Sequence, residues 1–110
     1  MVLFREGEPV KVKSANEVES EKMSEGVKIR WVISEKDGAE NFYMRVIEVE
    51  PGGQGPPLHD HPYEHEMYIL EGQGTVVGED GEKSFKSGDV IFIPPNEKHQ
   101  LKHKAALRFI

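Results

Sequence analysis

The stretch Gly52–Gly72, GGQGPPLHDHPYEHEMYILEG, contains three of the chain's five histidines, namely His59, His61 and His65. It begins with a run that is too rich in Gly and Pro for a helix or a strand, and it ends in the strand-like EMYIL. Because His59 and His61 are two residues apart, an extended backbone points both side chains to the same face. Two imidazoles on one face can converge on one metal ion.

Short strand patterns surround this stretch. Turn residues rich in Gly, Asp and Asn separate them, and Glu79-Asp80-Gly81 carries the Asp-Gly pair that favours a tight hairpin. The predicted strands are Val27–Ser34, Phe42–Glu50, Glu66–Leu70, Gly74–Val77, Glu82–Phe85, Val90–Ile93, Lys98–Lys102 and Ala105–Ile110. Ser14–Ser24 supports at most a helical turn within an arm or loop. Strands at this spacing, with no amphipathic helix, predict an all-β sandwich or barrel.

Length and composition exclude several classes of protein. The chain has 110 residues, which fits one domain, and a net charge of −6. No basic patch interleaves with aromatic residues, so we expect no nucleic-acid partner. The apolar stretches are far too short to span a membrane, and MVLFREGEPVKVK lacks the apolar region of a signal peptide. The chain has no cysteine, which excludes disulfides and Cys-based metal sites, and we expect a cytoplasmic protein.

Two segments resemble the paired motifs of the cupin family. The first motif is a Gly, five residues, His-x-His, three or four residues, Glu, six residues and a Gly; the second is similar to GDVIFIPPNEKH at Gly88–His99. The matching positions are Gly53, His59, His61, Gly72, Gly88, Pro94 and His99. The resemblance implies a cupin jelly-roll β-barrel, also called a double-stranded β-helix, at residues 27–110. It also implies an N-terminal arm and edge strand at residues 1–26, within a single domain.

The glutamate position of the first motif is ambiguous in this chain. Counting three residues after His61 reaches His65, and six further residues reach Gly72. Glu66 needs four residues before it and leaves only five after it. Spacing therefore favours His65, and strand alternation would turn Glu66 away from it. Glu66 remains the alternative ligand.

The resemblance then implies a metal site of four histidines, as in one branch of the small cupins. The expected ligands are His59, His61, His65 and His99. Asn96 stands where the second motif has Gly, and Asn tolerates the positive φ of such a turn. His103 stands where the motif has Asn; we assign it a role behind the ligands or on the surface, although joining the metal shell is the alternative.

One divalent metal ion per chain is the expected cofactor. Imidazole suits Zn, Cu, Fe and Ni, whereas Mn more often takes oxygen ligands. Manganese is associated with the four-histidine cupins, so the resemblance raises it; we rank Mn and Fe first, followed by Ni, Cu or Zn. Four neutral imidazoles leave the charge of the ion uncompensated, which favours anionic ligands. Because binding needs neutral histidines, affinity should fall below about pH 6.5.

Outside the histidines, the candidate site residues are fewer. Arg45 lies on the strand predicted at Phe42–Glu50, where it would point into the barrel and attract an anionic substrate, or else face solvent. It is the one candidate catalytic residue. Tyr63 and Glu64 lie within the ligand loop, where they would shape the entrance or simply occupy the surface. No Ser-His-Asp order, phosphate loop or nucleophilic cysteine supports covalent catalysis.

Three functions fit these features. The first, which we rank highest, is a metal-dependent, dioxygenase-like oxidoreductase acting on a small molecule, an anion among the candidates. The second is a metal-dependent lyase or isomerase of a sugar or small carboxylate. The third is a non-catalytic module that binds a metal or a small ligand. Fold alone does not choose between them.

The expected partners are a small-molecule ligand or substrate and a second copy of the chain. Small cupins commonly pair through their sheets, so the resemblance implies a homodimer. The apolar start (Val2, Leu3, Phe4) and the apolar end (Leu107, Phe109, Ile110) fit such pairing, and they fit ordinary edge strands equally well. We expect neither nucleic acid nor a membrane as a partner.

Overall fold

A computed structural model describes residues 10–53 and 55–110. These residues form nine strands, two one-turn 3₁₀ helices and no α-helix. The strands are β1 Ser20–Ser24, β2 Val27–Ile33, β3 Met44–Val49, β4 His65–Glu71, β5 Gln73–Gly78, β6 Gly81–Lys86, β7 Val90–Ile93, β8 Gln100–His103 and β9 Leu107–Phe109. The 3₁₀ helices are Ala15–Glu17 and Glu35–Asp37. The apolar start at Val2, Leu3 and Phe4 lies outside the described residues.

The strands form two antiparallel sheets. One sheet has the order β1-β2-β3-β9-β4-β7 and the other has the order β6-β5-β8. Non-consecutive neighbours such as β3 and β9 arise because the chain crosses between the sheets, which is the pattern of a jelly-roll. The prediction of an all-β jelly-roll is confirmed. Across the described residues, no helix is long and apolar enough to cross a membrane.

Two predicted segments differ from the structure. Ser20–Ser24 lies in the segment whose sequence pattern predicted an arm or loop, whereas the resemblance placed an edge strand within residues 1–26; in the structure it pairs with β2. Four of its five residues are exposed, so no apolar alternation marked it as a strand. The strand predicted at Phe42–Glu50 is shorter and begins at Met44. Phe42 and Tyr43 lie in the loop before it, where both side chains are exposed. Their aromatic character favoured a strand in the sequence, but they lie outside the strand pairing.

The core lies between the two sheets. Alternation turns every second residue of a strand to this side, and the buried cluster comprises Val27, Val49, Ile69, Phe85, Leu107 and Phe109. Along β4 the same face carries Ile69, then half-buried Met67, then His65. His65 is therefore an inward-facing residue at the end of the strand, where the apolar core gives way to polar side chains.

The turn after β7 positions the ligand loop. Asn96 has φ 68°, the one positive φ of a non-glycine residue in the described part of the chain. This confirms the prediction that Asn takes the left-handed conformation for which the motif has Gly. The backbone N–H of Asn96 donates to the carbonyl of His61 at 2.7 Å. The turn is thereby joined directly to the histidine-rich segment.

Candidate metal centre

A short antiparallel bridge brings the two histidine-bearing segments together. The N–H of His59 donates to the carbonyl of His99 at 3.1 Å, and the N–H of His99 donates back at 2.8 Å. The two rings lie with their centroids 4.4 Å apart. Candidate ligands that are distant in sequence thus become neighbours through a pair of backbone hydrogen bonds.

Three histidines form a group that fits one metal ion. A ring nitrogen from each of His59, His61 and His99 lies within 4.8 Å of the others. Nitrogens bound at about 2.1 Å from one ion are no more than about 4.2 Å apart, so closure needs only a small inward shift of the rings. His99 is 3% exposed, whereas His59 and His61 are half-buried.

Backbone carbonyls fix the orientation of these three rings. In each ring Nδ1 is hydrogen-bonded to a carbonyl oxygen, which only accepts, so Nδ1 carries the proton and the Nε2 lone pair is free for a metal. The bonds are each 2.8 Å long and join His59 to Pro57, His61 to Tyr63 and His99 to Glu97. Tyr63 also stacks on His61, with ring centroids 4.3 Å apart.

His61 provides a direct test of whether a metal fits. Its Nε2 atom is buried and has no hydrogen-bond partner among the described residues. An unpaired buried acceptor costs about 1–3 kcal/mol, so native structures rarely keep one without a reason. A divalent ion shared with His59 and His99 would supply the missing partner, so the donor set fits the metal that the sequence predicts.

His65 lies beside this group and is not one of the three. Its ring centroid is 4.2 Å from that of His61 and 6.0 Å from that of His99. Burial, followed by the charges of His61 and Arg45, lowers the pKa of His65 from 6.5 to about 4. The ring is therefore neutral at neutral pH and able to bind a metal. Its role as the fourth ligand stays a prediction.

The alternative ligands, Glu66 and His103, are placed differently from the three. Glu66 is exposed and shares the outward side of β4 with Tyr68, as strand alternation predicts. His103 lies on the wall of the inner cavity, four residues beyond His99. Four residues of extended chain span roughly 13 Å, so His103 is too far along the barrel to share an ion with His99.

An inner cavity of about 180 Å³ adjoins the histidines. Its wall is mostly apolar, with Ile47, Met67 and Leu101 among its residues, and His59, His65 and His99 line it as well. Arg45, predicted to point inward or to solvent, also lines this cavity and is half-buried. The arrangement can hold a small molecule with one end near the histidines and the other among apolar side chains.

Trp31 is a candidate site residue that sequence analysis did not identify. It is paired with Arg45 across β2 and β3, and the Arg45 guanidinium carbon lies 5.6 Å from the centre of its ring. The signal that would have revealed it is the register of these two strands. The connecting loop is too long for turn geometry to specify that register from sequence.

Comparisons with known proteins agree with this fold. No curated protein matches the sequence. Among solved structures, the polyketide cyclase RemF from Streptomyces resistomycificus is 32% identical, with a TM-score of 0.78 over 92% of this chain and 76% of its own. A predicted oxalate decarboxylase from Thermotoga maritima is 26% identical, with a TM-score of 0.73 over 90% of this chain and 94% of its own.

A third structure, an oxalate decarboxylase from Lactobacillus farciminis in complex with formate, is 26% identical with a TM-score of 0.68. The match covers 86% of this chain and 30% of that one. The sequence also matches the cupin domain family over residues 45–110, the region that carries the candidate ligands and Arg45. With its jelly-roll sheets and its histidines at the motif positions, the chain belongs to the cupin family.

Proposed function

We propose that the protein is a metal-dependent enzyme of the lyase or cyclase type, which acts on a small oxygen-bearing molecule without net oxidation. The observation that supports it most is the group of His59, His61 and His99 beside a small, largely apolar cavity. A divalent ion held there supplies Lewis-acid polarisation of a substrate oxygen.

The chain's own residues hold and shield this site. The carbonyls of Pro57, Tyr63 and Glu97 keep the three ligand rings in one tautomer, so their Nε2 atoms stay unprotonated. The apolar wall excludes water and strengthens electrostatic interactions at the substrate. His65, neutral because of its burial, is proposed as the fourth ligand.

Two of the similar proteins favour this choice over an oxidoreductase. Their names are those of a polyketide cyclase and a predicted oxalate decarboxylase, and neither is the name of an oxidoreductase. The dioxygenase-like oxidoreductase remains the second candidate, because a set of imidazoles also suits redox-active Fe and Cu. For both candidate functions, Mn and Fe are the preferred metals, and Ni, Cu and Zn are the alternatives.

The first experiment is elemental analysis of tag-free protein purified without chelator, for the wild type and for His61→Ala. We expect about one divalent ion per wild-type chain and almost none in the variant. His103→Ala is the matched control, because it removes an imidazole that lies outside the group. Wild-type protein without bound metal, even after incubation with Mn²⁺ or Fe²⁺, would refute the proposal.

The second experiment separates the two reaction classes. Metal-loaded protein is incubated with oxalate, oxaloacetate and acetoacetate in air and under nitrogen, while oxygen uptake and products are measured. The proposal expects metal-dependent turnover at equal rates in both atmospheres. If product formation stops under nitrogen and consumes oxygen in air, the lyase proposal is wrong and the oxidoreductase takes its place.

A further inference from the structure

Arg45 differs from the other arginines that the structure describes. Arg30 and Arg108 each place Nε 3.2 Å from a carboxylate oxygen of Glu48. Within residues 10–53 and 55–110, no carboxylate pairs with Arg45. A half-buried guanidinium has lost part of its hydration, so the absence of an anion leaves a cost that a bound anion would relieve.

Trp31 holds this unpaired charge in place. The Arg45 guanidinium carbon lies 5.6 Å from the centre of the indole ring, within the range of a cation–π contact. Their positions are opposite each other in the register of β2 and β3. Trp31 is 38% exposed, so the pair lies where a ligand can approach from solvent.

The cavity beside Arg45 suits a small apolar group. Ile47, Met67, Leu101 and Phe109 contribute to its wall. Its volume is about 180 Å³. For comparison, an apolar cavity of roughly 150 Å³ binds benzene. Glu66, the one Asp or Glu among its lining, is exposed and lies on the outward side of β4.

We propose that Arg45, held against Trp31, binds the carboxylate of the substrate, whose small apolar body enters the cavity. The substrate class is thus a small carboxylic acid with an apolar body of about the size of a benzene ring. Calling this ligand the substrate rests on the proposed function; the binding itself does not require turnover. Arg45 is a substrate-binding residue, and Trp31 is a positioning residue that acts through it.

Trp31 is the only tryptophan of the chain, so its fluorescence reports on this place alone. Metal-loaded protein is titrated with benzoate and with benzamide, its neutral counterpart of nearly the same shape. We expect a saturable change with benzoate, and binding of benzamide weaker by roughly tenfold or more, as for the loss of a charged hydrogen bond. Added salt should weaken benzoate binding and leave benzamide unaffected.

Two variants of Arg45 test whether its charge binds the carboxylate. Arg45→Gln should weaken benzoate binding by roughly tenfold or more. Arg45→Lys should recover part of the affinity, because it restores the charge without the planar fork. Both variants should melt near the wild-type temperature and keep their metal. Benzoate binding within twofold of the wild type in a folded Arg45→Gln, equal affinity for benzamide, or no saturable binding to the wild type would each overturn the proposal.

Metal content and benzoate binding, measured on the wild type and on Arg45→Gln, distinguish failure of this inference from failure of the proposed function. If Arg45→Gln binds benzoate like the wild type while both hold metal, this inference fails and the metal enzyme stands. If neither holds metal, the proposed function fails, and the titration of the metal-free wild type against Arg45→Gln still decides the role of Arg45. Binding that depends on Arg45 in that titration supports the inference.

The role of Trp31 is tested by selectivity, measured by calorimetry because the variants lack the indole. Trp31→Phe keeps an aromatic face and should keep the preference for benzoate over benzamide. Trp31→Ala should lose most of that preference, since the guanidinium is no longer held toward the cavity. Loss of packing alone would weaken both ligands equally, and that result would reduce Trp31 to a structural residue.

Discussion

At the scale of the residue, position separates the candidate ligand histidines from His103. His103 also directs Nδ1 to a carbonyl, that of Ala105 at 2.9 Å, so its tautomer matches that of His59 or His61. It differs in that it is not a member of the group whose ring nitrogens lie close together, His59, His61 and His99. Residue type and hydrogen bonding alone would not distinguish a ligand from His103.

The His65→Ala variant tests the fourth ligand. We expect metal affinity to fall by at least about tenfold, the lower limit seen when a residue behind a ligand is changed. The measurement is competition with a chromogenic chelator. Glu66→Ala is the adjacent control and should bind metal like the wild type. A large loss in Glu66→Ala with full retention in His65→Ala would exchange their assignments.

Two motif glycines share a backbone conformation and differ in their surroundings. Gly72 has φ +100°, and a Cβ there would lie 2.5 Å from the carbonyl oxygen of Ala106. Gly88 has φ +93°, and a Cβ there would meet nothing within 4 Å. The first is crowded by β9, whereas the second opens to solvent.

We expect Gly72→Ala to be clearly more destabilising than Gly88→Ala. The Gly88 substitution should cost about 1–2 kcal/mol, the price of a left-handed conformation with a Cβ. The Gly72 substitution adds a steric clash with backbone that cannot move freely. Urea unfolding of both variants measures the difference. Equal losses would show that the close approach to Ala106 relaxes without cost.

At the scale of the element, the 3₁₀ turn Glu35–Asp37 anchors the N-terminal segment. The Asp37 carboxylate accepts from the Ser34 N–H at 3.0 Å and from Lys13 Nζ at 2.6 Å. Ser34 in turn accepts from the N–H of Lys36, which completes a capping box. One side chain thus stabilises the turn after β2 and holds the chain that precedes β1.

The pH dependence of this turn follows from Asp37. The hydrogen bond from Lys13, followed by that from Ser34, lowers its pKa below the ordinary 3.8. A lowered carboxyl pKa contributes stability that is present above 3.8 and is lost as the pH falls through the folded-state value. Asp37→Asn should therefore melt below the wild type at pH 7, and the gap should close in strong acid. A gap that does not narrow as the pH falls below 3.8 would contradict this assignment.

At the scale of the whole molecule, a 110-residue domain has a limited core, so a bound ion adds noticeably to its stability. An ion that binds only the folded chain stabilises it by about 2.7 kcal/mol at a concentration 100 times its dissociation constant. Added Mn²⁺ or Fe²⁺ should raise the melting temperature of the wild type, and EDTA should reverse the rise. His61→Ala should show no rise; an equal rise would place the ion elsewhere.

The homodimer stays a prediction at this scale. Tyr68 and Val90 are paired across β4 and β7 and are 50% and 77% exposed, and Phe92 on the same side of β7 is 58% exposed. Sedimentation equilibrium of the metal-loaded chain measures the number of subunits directly. The cytoplasmic location also stays a prediction.

The sequence by itself determined the fold class and singled out three histidines that the structure brings together. Short segments that alternate apolar and polar residues, separated by regularly spaced turns, indicate an all-β chain. Each such strand must bury one face, and a sandwich or a barrel is the arrangement that achieves this. The His-x-His spacing placed two candidate ligands on one face, and the second motif added His99. Asn96 could be read correctly because its backbone preference is local.

Tertiary structure alone decided the rest. The edge strand β1 has no apolar pattern and exists through its hydrogen bonds to β2. The register of β2 and β3 decides that Arg45 faces the cavity and that Trp31 lies against it. These two strands are joined by a long loop. The bridge between His59 and His99 is likewise a long-range pairing. Such contacts are set by the packing of the whole barrel, which no local stretch of sequence encodes.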